Sequence, residues 1–454
     1  MTFPAIGWPP DENLPAWLAR RSEEWAASVL PRLSSVEQSG VVLRTEGEVV
    51  HTSDLDAPIG ARCRIETGSG SIDAEIVGFQ GNAALLMADR SLKGLKMGDR
   101  VTTRPGAVDV PVGDDLLGRI LDAYGQPLDG GPPPQTDRTW PLDGLPVNPM
   151  QRVRMKVPLD VGVRAINGIA TVGLGMRTGL FAGSGVGKST LLGMIARHAK
   201  VDCVVLAMIG ERGREVREFV EDHLGEALSR SVVVVSAADS PPLARILCAR
   251  RAASIAEAFR ARGRHVLLLV DSLTRLAMAG REIGLSVGEP PATKGYPPSV
   301  FAQIAGYVER AGMGVEGQGS ITGLYTVLVE GDDHVGDPVA DTARSVLDGH
   351  IVLSRRMSEA GVYPPIDLSM SLSRPMPGLV DTRHYRDSVR FRFLWSRLLE
   401  KRDLVDIGAY APGRDPVLDD ALSRAGNMEG FVRQSAADRI DLAQSVEALH
   451  RIVS

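Results

Sequence analysis

The stretch Ala182-Gly183-Ser184-Gly185-Val186-Gly187-Lys188-Ser189 follows the apolar run Leu180-Phe181 and precedes Thr190-Leu191-Leu192. An apolar strand that ends in glycines and resumes as a helix has the layout of a phosphate-binding loop. Gly183, Gly185 and Gly187 let backbone N–H groups curl toward an anion, and the helix adds the positive end of its dipole. Lys188 is then placed to reach the outer phosphates and Ser189 to offer a hydroxyl to Mg²⁺. Ser184, Val186 and Thr190 complete the candidate nucleotide-binding segment. Ala182 replaces the first glycine of G-x-x-x-x-G-K-[ST], but the backbone reading survives. A plain turn has no need of a Lys-Ser pair at a helix start, so the segment implies a nucleoside triphosphate with Mg²⁺.

Outward from this loop, apolar runs alternate with amphipathic segments. Cys203–Ile209 is followed by a helix carrying Val216, Phe219, Val220 and Leu224, then by Val232–Val235. A helix opened by Ser240-Pro241-Pro242 and closed near Gly263 leads to Val266–Val270. Such alternation builds a parallel sheet covered by helices, an α/β fold. Ligands bind such sheets at the carboxyl ends of the strands, which singles out two carboxylates. Asp271 closes the run Val266–Val270 and is expected to hold Mg²⁺ through water, the plain alternative being a cap for the next helix. Because Ser272 rather than Glu follows it, the water-activating group must come from elsewhere. Glu211, in Ile209-Gly210-Glu211-Arg212, ends another strand on the same rim and is the candidate to polarise the attacking water. Arg212 beside it is either an offset for phosphate charge or an ordinary ion-pair partner.

The rest of the chain divides by texture. In residues 1–38, Leu14, Leu18, Trp25 and Val29 recur at roughly helical spacing. This amphipathic helix either packs on its own domain or docks a partner. Residues 39–105 carry short β-rich runs between Gly and Asp turns and predict a small β-barrel. Residues 106–150 are rich in Pro and Gly and read as connector. Residues 151–374 hold the α/β domain, and 375–454 predict a small helical domain.

The 454 residues allow about three domains at ~150 each. With 51 basic against 56 acidic residues and a net charge of −5, there is no electrostatic reason for whole-chain binding to nucleic acid. Three cysteines, Cys63, Cys203 and Cys248, lie far apart without C-x-x-C spacing, which predicts neither disulfides nor a zinc site and suits a reducing cytoplasm. No apolar run approaches the ~20 residues of a membrane-spanning helix, and no signal-peptide layout is expected.

The phosphate loop, Gly210-Glu211-Arg212, Asp271 followed by Ser-Leu-Thr-Arg, and Gly295-Tyr296-Pro297-Pro298-Ser299 together resemble the catalytic subunits of rotary ATPases and their relatives that energise type III protein export. The resemblance runs from about Ser39 to the C-terminus and includes Leu347–Arg355. It implies a β-barrel, a RecA-like P-loop ATPase core that uses ATP and Mg²⁺, and a helical C-terminal domain. By the same resemblance Tyr363, in Gly361-Val362-Tyr363-Pro364-Pro365, packs on the adenine. Arg374, in Ser371-Leu372-Ser373-Arg374, reaches a neighbouring subunit's γ-phosphate. The implied partners are copies of itself in a homohexameric ring, a stator-like regulator at the N-terminal helix, a central stalk protein, an export gate, and export substrates with their chaperones. Membrane association would be peripheral, from the cytoplasmic side.

Ala292–Ala302, Val329–Asp333 and Asp406–Tyr410 read most like the flagellar branch, with the virulence-type secretion branch as the alternative. A non-catalytic ring subunit would lack the activating Glu, and Glu211 is present. A Rho-like nucleic-acid translocase would need aromatic stacking positions in its barrel, whereas Phe79 is the one aromatic in residues 40–105.

Overall fold

Alternating apolar residues close the N-terminal strands into a barrel. These are β1 (Ser39–Glu46), β2 (Val49–Thr52), β3 (Arg62–Thr67), β4 (Gly70–Gln80), β5 (Ala83–Ala88) and β6 (Arg100–Thr103). They pair antiparallel in the order β1-β2-β5-β4-β3-β6, and β6 returns to β1. Val42, Val50, Ile65, Ile72, Ile76, Leu86 and Val101 fill the interior, as the two-residue period of a strand requires. The strand β2 has no sequence alternation to announce it, because all four of its residues are buried. The computed structural model describes residues 38–53, 55–104, 109–329 and 336–454. The N-terminal helix reading and most of the Val329–Asp333 motif lie outside the described residues.

The chain forms two compact units, the barrel being the first. Among the described residues, the second is built on a nine-stranded sheet. Its strands are β8 (Ile120–Asp122), β10 (Arg177–Ala182), β11 (Cys203–Glu211), β12 (Ser231–Ala237), β13 (His265–Asp271), β14 (Gly312–Met313), β15 (Ser320–Leu328), β16 (Gly349–Val352) and β17 (Leu372–Ser373). The order is β17-β16-β10-β15-β13-β11-β12-β8, with β14 paired on β15. All pairs from β16 to β8 are parallel, while β14 and β17 run antiparallel to their neighbours. Near-continuous burial along β11 and β13 is what a sheet covered on both faces demands.

One expectation changes here. Residues 106–150 are more than a connector, because β8 extends the main sheet and β7 (Asp109–Val112) pairs with β9 (Arg138–Pro141) in a ribbon. Three-residue strands carry too little periodicity to be read locally. β8 forms because the open edge of β12 has backbone groups to satisfy, and Arg119 Nε bonds Asp129 Oδ2 at 2.7 Å to fix the turn beyond it.

The residues after Arg374 are helical as expected, and their helices share a core with the α/β elements. Phe391, Trp395, Phe431 and Leu449 join Ile166, Ile169 and the sheet residues in one core, with the Phe391 and Phe431 rings 5.2 Å apart. Each of the three long helices, Thr382–Asp406, Pro416–Val432 and Leu442–Val453, starts at an aspartate cap: Asp381, Asp415 and Asp441. These caps satisfy otherwise orphaned N–H groups.

Candidate nucleotide site

The phosphate loop occupies the turn between β10 and the helix Lys188–His198. Gly185 and Gly187 have φ of 75° and 98°, a left-handed backbone that side chains resist. Gly187 caps the helix without any side-chain hydrogen bond. The first-turn N–H groups are thus left for an anion. Gly183 and Val186 are buried, Ser184 and Gly185 are exposed, and Ser189 and Thr190 are half-buried in the first helical turn.

Lys188 Nζ contacts Asp271 Oδ1 and stands 3.8 Å from Glu211 Oε1. Both carboxylates are buried, at 3% and 8% exposure. They come together because β11 and β13 are neighbours, with Met208 level with Asp271. Glu211 owes its aim to a bulge: the β11–β12 register shifts between Ile209 and Glu211, and Gly210 between them has φ 67°. Bulges beside active sites re-aim a side chain in this way. The helix after Asp271 is capped by Ser272, whose side chain accepts from Arg275 N at 3.3 Å, so capping does not account for Asp271.

The carboxyl of Glu211 is pushed up to about 7, first by burial, then by the Glu215 carboxyl and the Asp271 charge, with Lys188 opposing. The two buried carboxyl groups flank one ammonium, Asp271 in contact with it and Glu211 farther off. An oxygen donor set of this kind, with the Ser189 hydroxyl at the helix start, fits Mg²⁺.

Tyr363 is half exposed, its hydroxyl 3.1 Å from Ser358 Oγ. It lies beside the loop, since a Cβ on Gly187 would sit 3.9 Å from its ring. It borders a cavity of about 320 Å³ with Arg164, Arg433, Gln434 and Asp438. A larger cavity of about 410 Å³, lined by Arg152, Arg177 and Arg310, lies elsewhere, since Arg177 opens β10 at the end opposite the loop.

Two candidates are not brought to this pocket. The Arg212 side chain is 82% exposed, with Glu215 3.9 Å away. Arg374 follows Ser373, which pairs with Gly349, itself level with Thr178 of β10. Thr178 and Ala182 are separated by roughly 13 Å of strand, so Arg374 sits at the end of the sheet away from its own phosphate loop. There its guanidinium donates to the carbonyls of Leu347 and Arg344 at 3.2 and 3.0 Å.

Residue reading missed two contributors. Arg355 Nη2 donates to the Ser184 carbonyl at 3.3 Å, and Thr326 Oγ1 lies 2.7 Å from Asp271 Oδ1. The first follows a recognisable motif, but its partner in the loop is set by tertiary contact. The second lies in a strand whose mixture of Gly, Thr and Tyr gives no local sign of its central place.

A phosphate loop at the end of a parallel strand, with buried carboxylates from two neighbouring strands closing on its lysine, defines a RecA-like P-loop ATPase. Residues 162–373 match the ATP synthase alpha/beta family, nucleotide-binding domain, and residues 380–451 match the T3SS EscN ATPase C-terminal domain. A flagellum-specific ATP synthase of Salmonella typhimurium is 50% identical over 97% of this chain and 98% of its own length. The assembled ATPase EscN from the enteropathogenic E. coli type III secretion system superposes with a TM-score of 0.86 at 39% identity, covering 91% of this chain and 100% of that one. The same EscN in complex with its central stalk EscO gives 0.83 at 38% identity, with coverage of 91% and 100%. The chain belongs to the flagellum-specific ATP synthases of the ATP synthase alpha/beta family, and it is an ATP-hydrolysing enzyme.

Proposed function

We propose that this chain is the Mg²⁺-dependent ATPase that energises type III export of flagellar proteins across the cytoplasmic membrane, working as a ring at the base of the export gate. The observation that carries the ATPase chemistry is the convergence of Glu211 and Asp271 on Lys188 at the phosphate loop. The identity of 50% to two flagellar relatives, against 43% to a type 3 secretion system ATPase, favours flagellar export over the virulence-type system.

In this reading the N–H groups of Gly183–Thr190 cradle the phosphates and Lys188 neutralises their outer charge. Ser189 and, through water, Asp271 would hold Mg²⁺, which when bound would offset phosphate charge and orient the triphosphate. Glu211 polarises the attacking water. Its burial and its elevated pKa support that role, because a base is most effective when it titrates near working pH. Tyr363 offers its exposed ring to the adenine. Arg374 completes the site of the next subunit in a homohexameric ring, and its distance from its own loop supports action in trans. Arg212, lying in solvent, takes no part in the chemistry within one chain.

Assembled EscN and its complex with a stalk protein support a ring with a central stalk for this chain too. The N-terminal segment is assigned to a stator-like regulator, and the ring to peripheral placement on the cytoplasmic face of the membrane, where it meets export substrates and chaperones.

Expression of the chain in a flagellated bacterium deleted for its own export ATPase tests the reading. Swimming and secretion of hook and filament proteins should return with the unaltered chain and fail with Lys188→Ala. Restoration of virulence-type secretion, without motility, would sink the flagellar assignment.

A further inference from the structure

Strand β15 lies between the strand that ends in the phosphate loop and the strand that ends in Asp271. Its residues Ser320–Val327 are buried throughout. A hydroxyl inside such a strand costs free energy unless it is bonded, and valine would fill the same space without that cost. Thr326 is 0% exposed. Its Oγ1 stands 2.7 Å from Asp271 Oδ1 and 3.2 Å from the Val270 carbonyl. With one proton to donate, the shorter, charge-assisted bond to the carboxylate takes it.

The same Oδ1 is the atom that Lys188 contacts. Lysine at this place can meet Asp271 Oδ1 or the outer phosphates of a nucleotide. Once it serves phosphate, its hold on Asp271 weakens. The Thr326 bond comes from the sheet interior, where Leu180 on one side and Tyr325 beside Val270 on the other lock the register. It therefore holds the carboxylate independently of the nucleotide.

We propose that Thr326 is a positioning residue for the cation site: its hydroxyl fixes Oδ1 of Asp271, so that the carboxylate meets Mg²⁺ in one orientation. This rests on the assignment of Asp271 to Mg²⁺ and adds the group that orients it. Thr326 does not touch substrate, and its effect passes entirely through Asp271.

The full chain, Thr326→Val and Thr326→Ser are compared by titrating Mg²⁺ at a fixed concentration of a fluorescent ATP analogue. Binding of the analogue in excess chelator and thermal midpoints are measured alongside. Thr326→Val should raise the half-saturating Mg²⁺ concentration about tenfold, in line with loss of one hydrogen bond to a charged group. Binding in chelator should be unchanged, and the serine variant should return to within about twofold of the parent. In an Asp271→Asn background, Thr326→Val should add less than about a twofold further change, because the partner charge is already gone. Should Thr326→Val fold poorly, the serine variant and the Asp271→Asn pair still decide the matter.

Several results overturn the proposal. One is an unchanged Mg²⁺ requirement in a folded valine variant. Equal losses with and without Mg²⁺, or full additivity with Asp271→Asn, would also overturn it. If the unaltered chain itself binds the analogue without regard to Mg²⁺, the Mg²⁺-ATPase reading of the site fails, which is a separate outcome.

Discussion

Lys188 Nζ stands 3.8 Å from Glu211 Oε1 while it is in direct contact with Asp271. The lysine is thus committed to Asp271, and its attraction for Glu211 is too weak to offset burial. The balance is visible in the direction of the Glu211 shift, upward to about 7, with burial as the leading cause. A carboxylate held in this way suits the base proposed above, and the two carboxylates differ in environment because of their distance from one ammonium.

Glu211→Gln keeps size and removes the anion. Hydrolysis should fall by about 10²–10⁴-fold, the usual contribution of a general base, while affinity for a fluorescent ATP analogue is retained. Lys188→Ala should lose both. Equal loss of affinity in the two variants would remove Glu211 from the role of base.

The rate of hydrolysis should climb with pH through about 7, as Glu211 gives up its proton, and flatten above it. The stability effect has the opposite sign. A carboxyl whose folded pKa exceeds its unfolded value of about 4.5 contributes stability that is full below 4.5 and lost as pH rises through about 7. The thermal midpoint of the nucleotide-free protein should therefore carry a downward component over that window. Glu211→Gln should remove that component, and identical pH profiles for the two proteins would contradict it.

Arg374→Ala should lower hydrolysis by up to ~10³–10⁵-fold, the range known for arginine fingers, with nucleotide binding intact. Mixed with Glu211→Gln subunits it should regain activity, since some interfaces then pair an intact Glu211 with an intact Arg374. Co-assembly of the two variants without rescue would rule out action in trans.

Gly168 lies in the helix Arg164–Ile169, and a Cβ there would come within 2.8 Å of Phe431 Cζ. Overpacking costs about 1–3 kcal/mol, against which alanine regains roughly 1 kcal/mol of helix propensity. Gly168→Ala should thus lower the thermal midpoint by a few degrees. Its hydrolysis rate at low temperature should match the parent. A raised midpoint would show that Phe431 yields without cost.

The phosphate loop, the strands β10, β11, β12 and β13 and the carboxylates at the ends of two of them were legible from local pattern. Anion binding here is a property of contiguous backbone, with glycines, lysine and serine in a fixed order, and strand-end carboxylates follow from the general geometry of parallel sheets. The short strands β2 and β8 were not legible, because β2 is buried throughout and shows no alternation, and β8 is too short to carry a period.

Chain order alone also could not bring Thr326 to Asp271, Arg355 to Ser184, or Tyr363 to Gly187. Those contacts depend on which strands become neighbours and in what register, a choice made by burial summed over many elements at once. The same holds for Arg374. Its motif resembles that of a site residue, yet the antiparallel return of β17 carries it to the opposite end of the sheet. What the sequence determined was the chemistry available, since that is written in side-chain type and short spacing. What only the tertiary structure decided was which groups share a pocket, because apposition across a sheet is set by register and packing rather than by order along the chain.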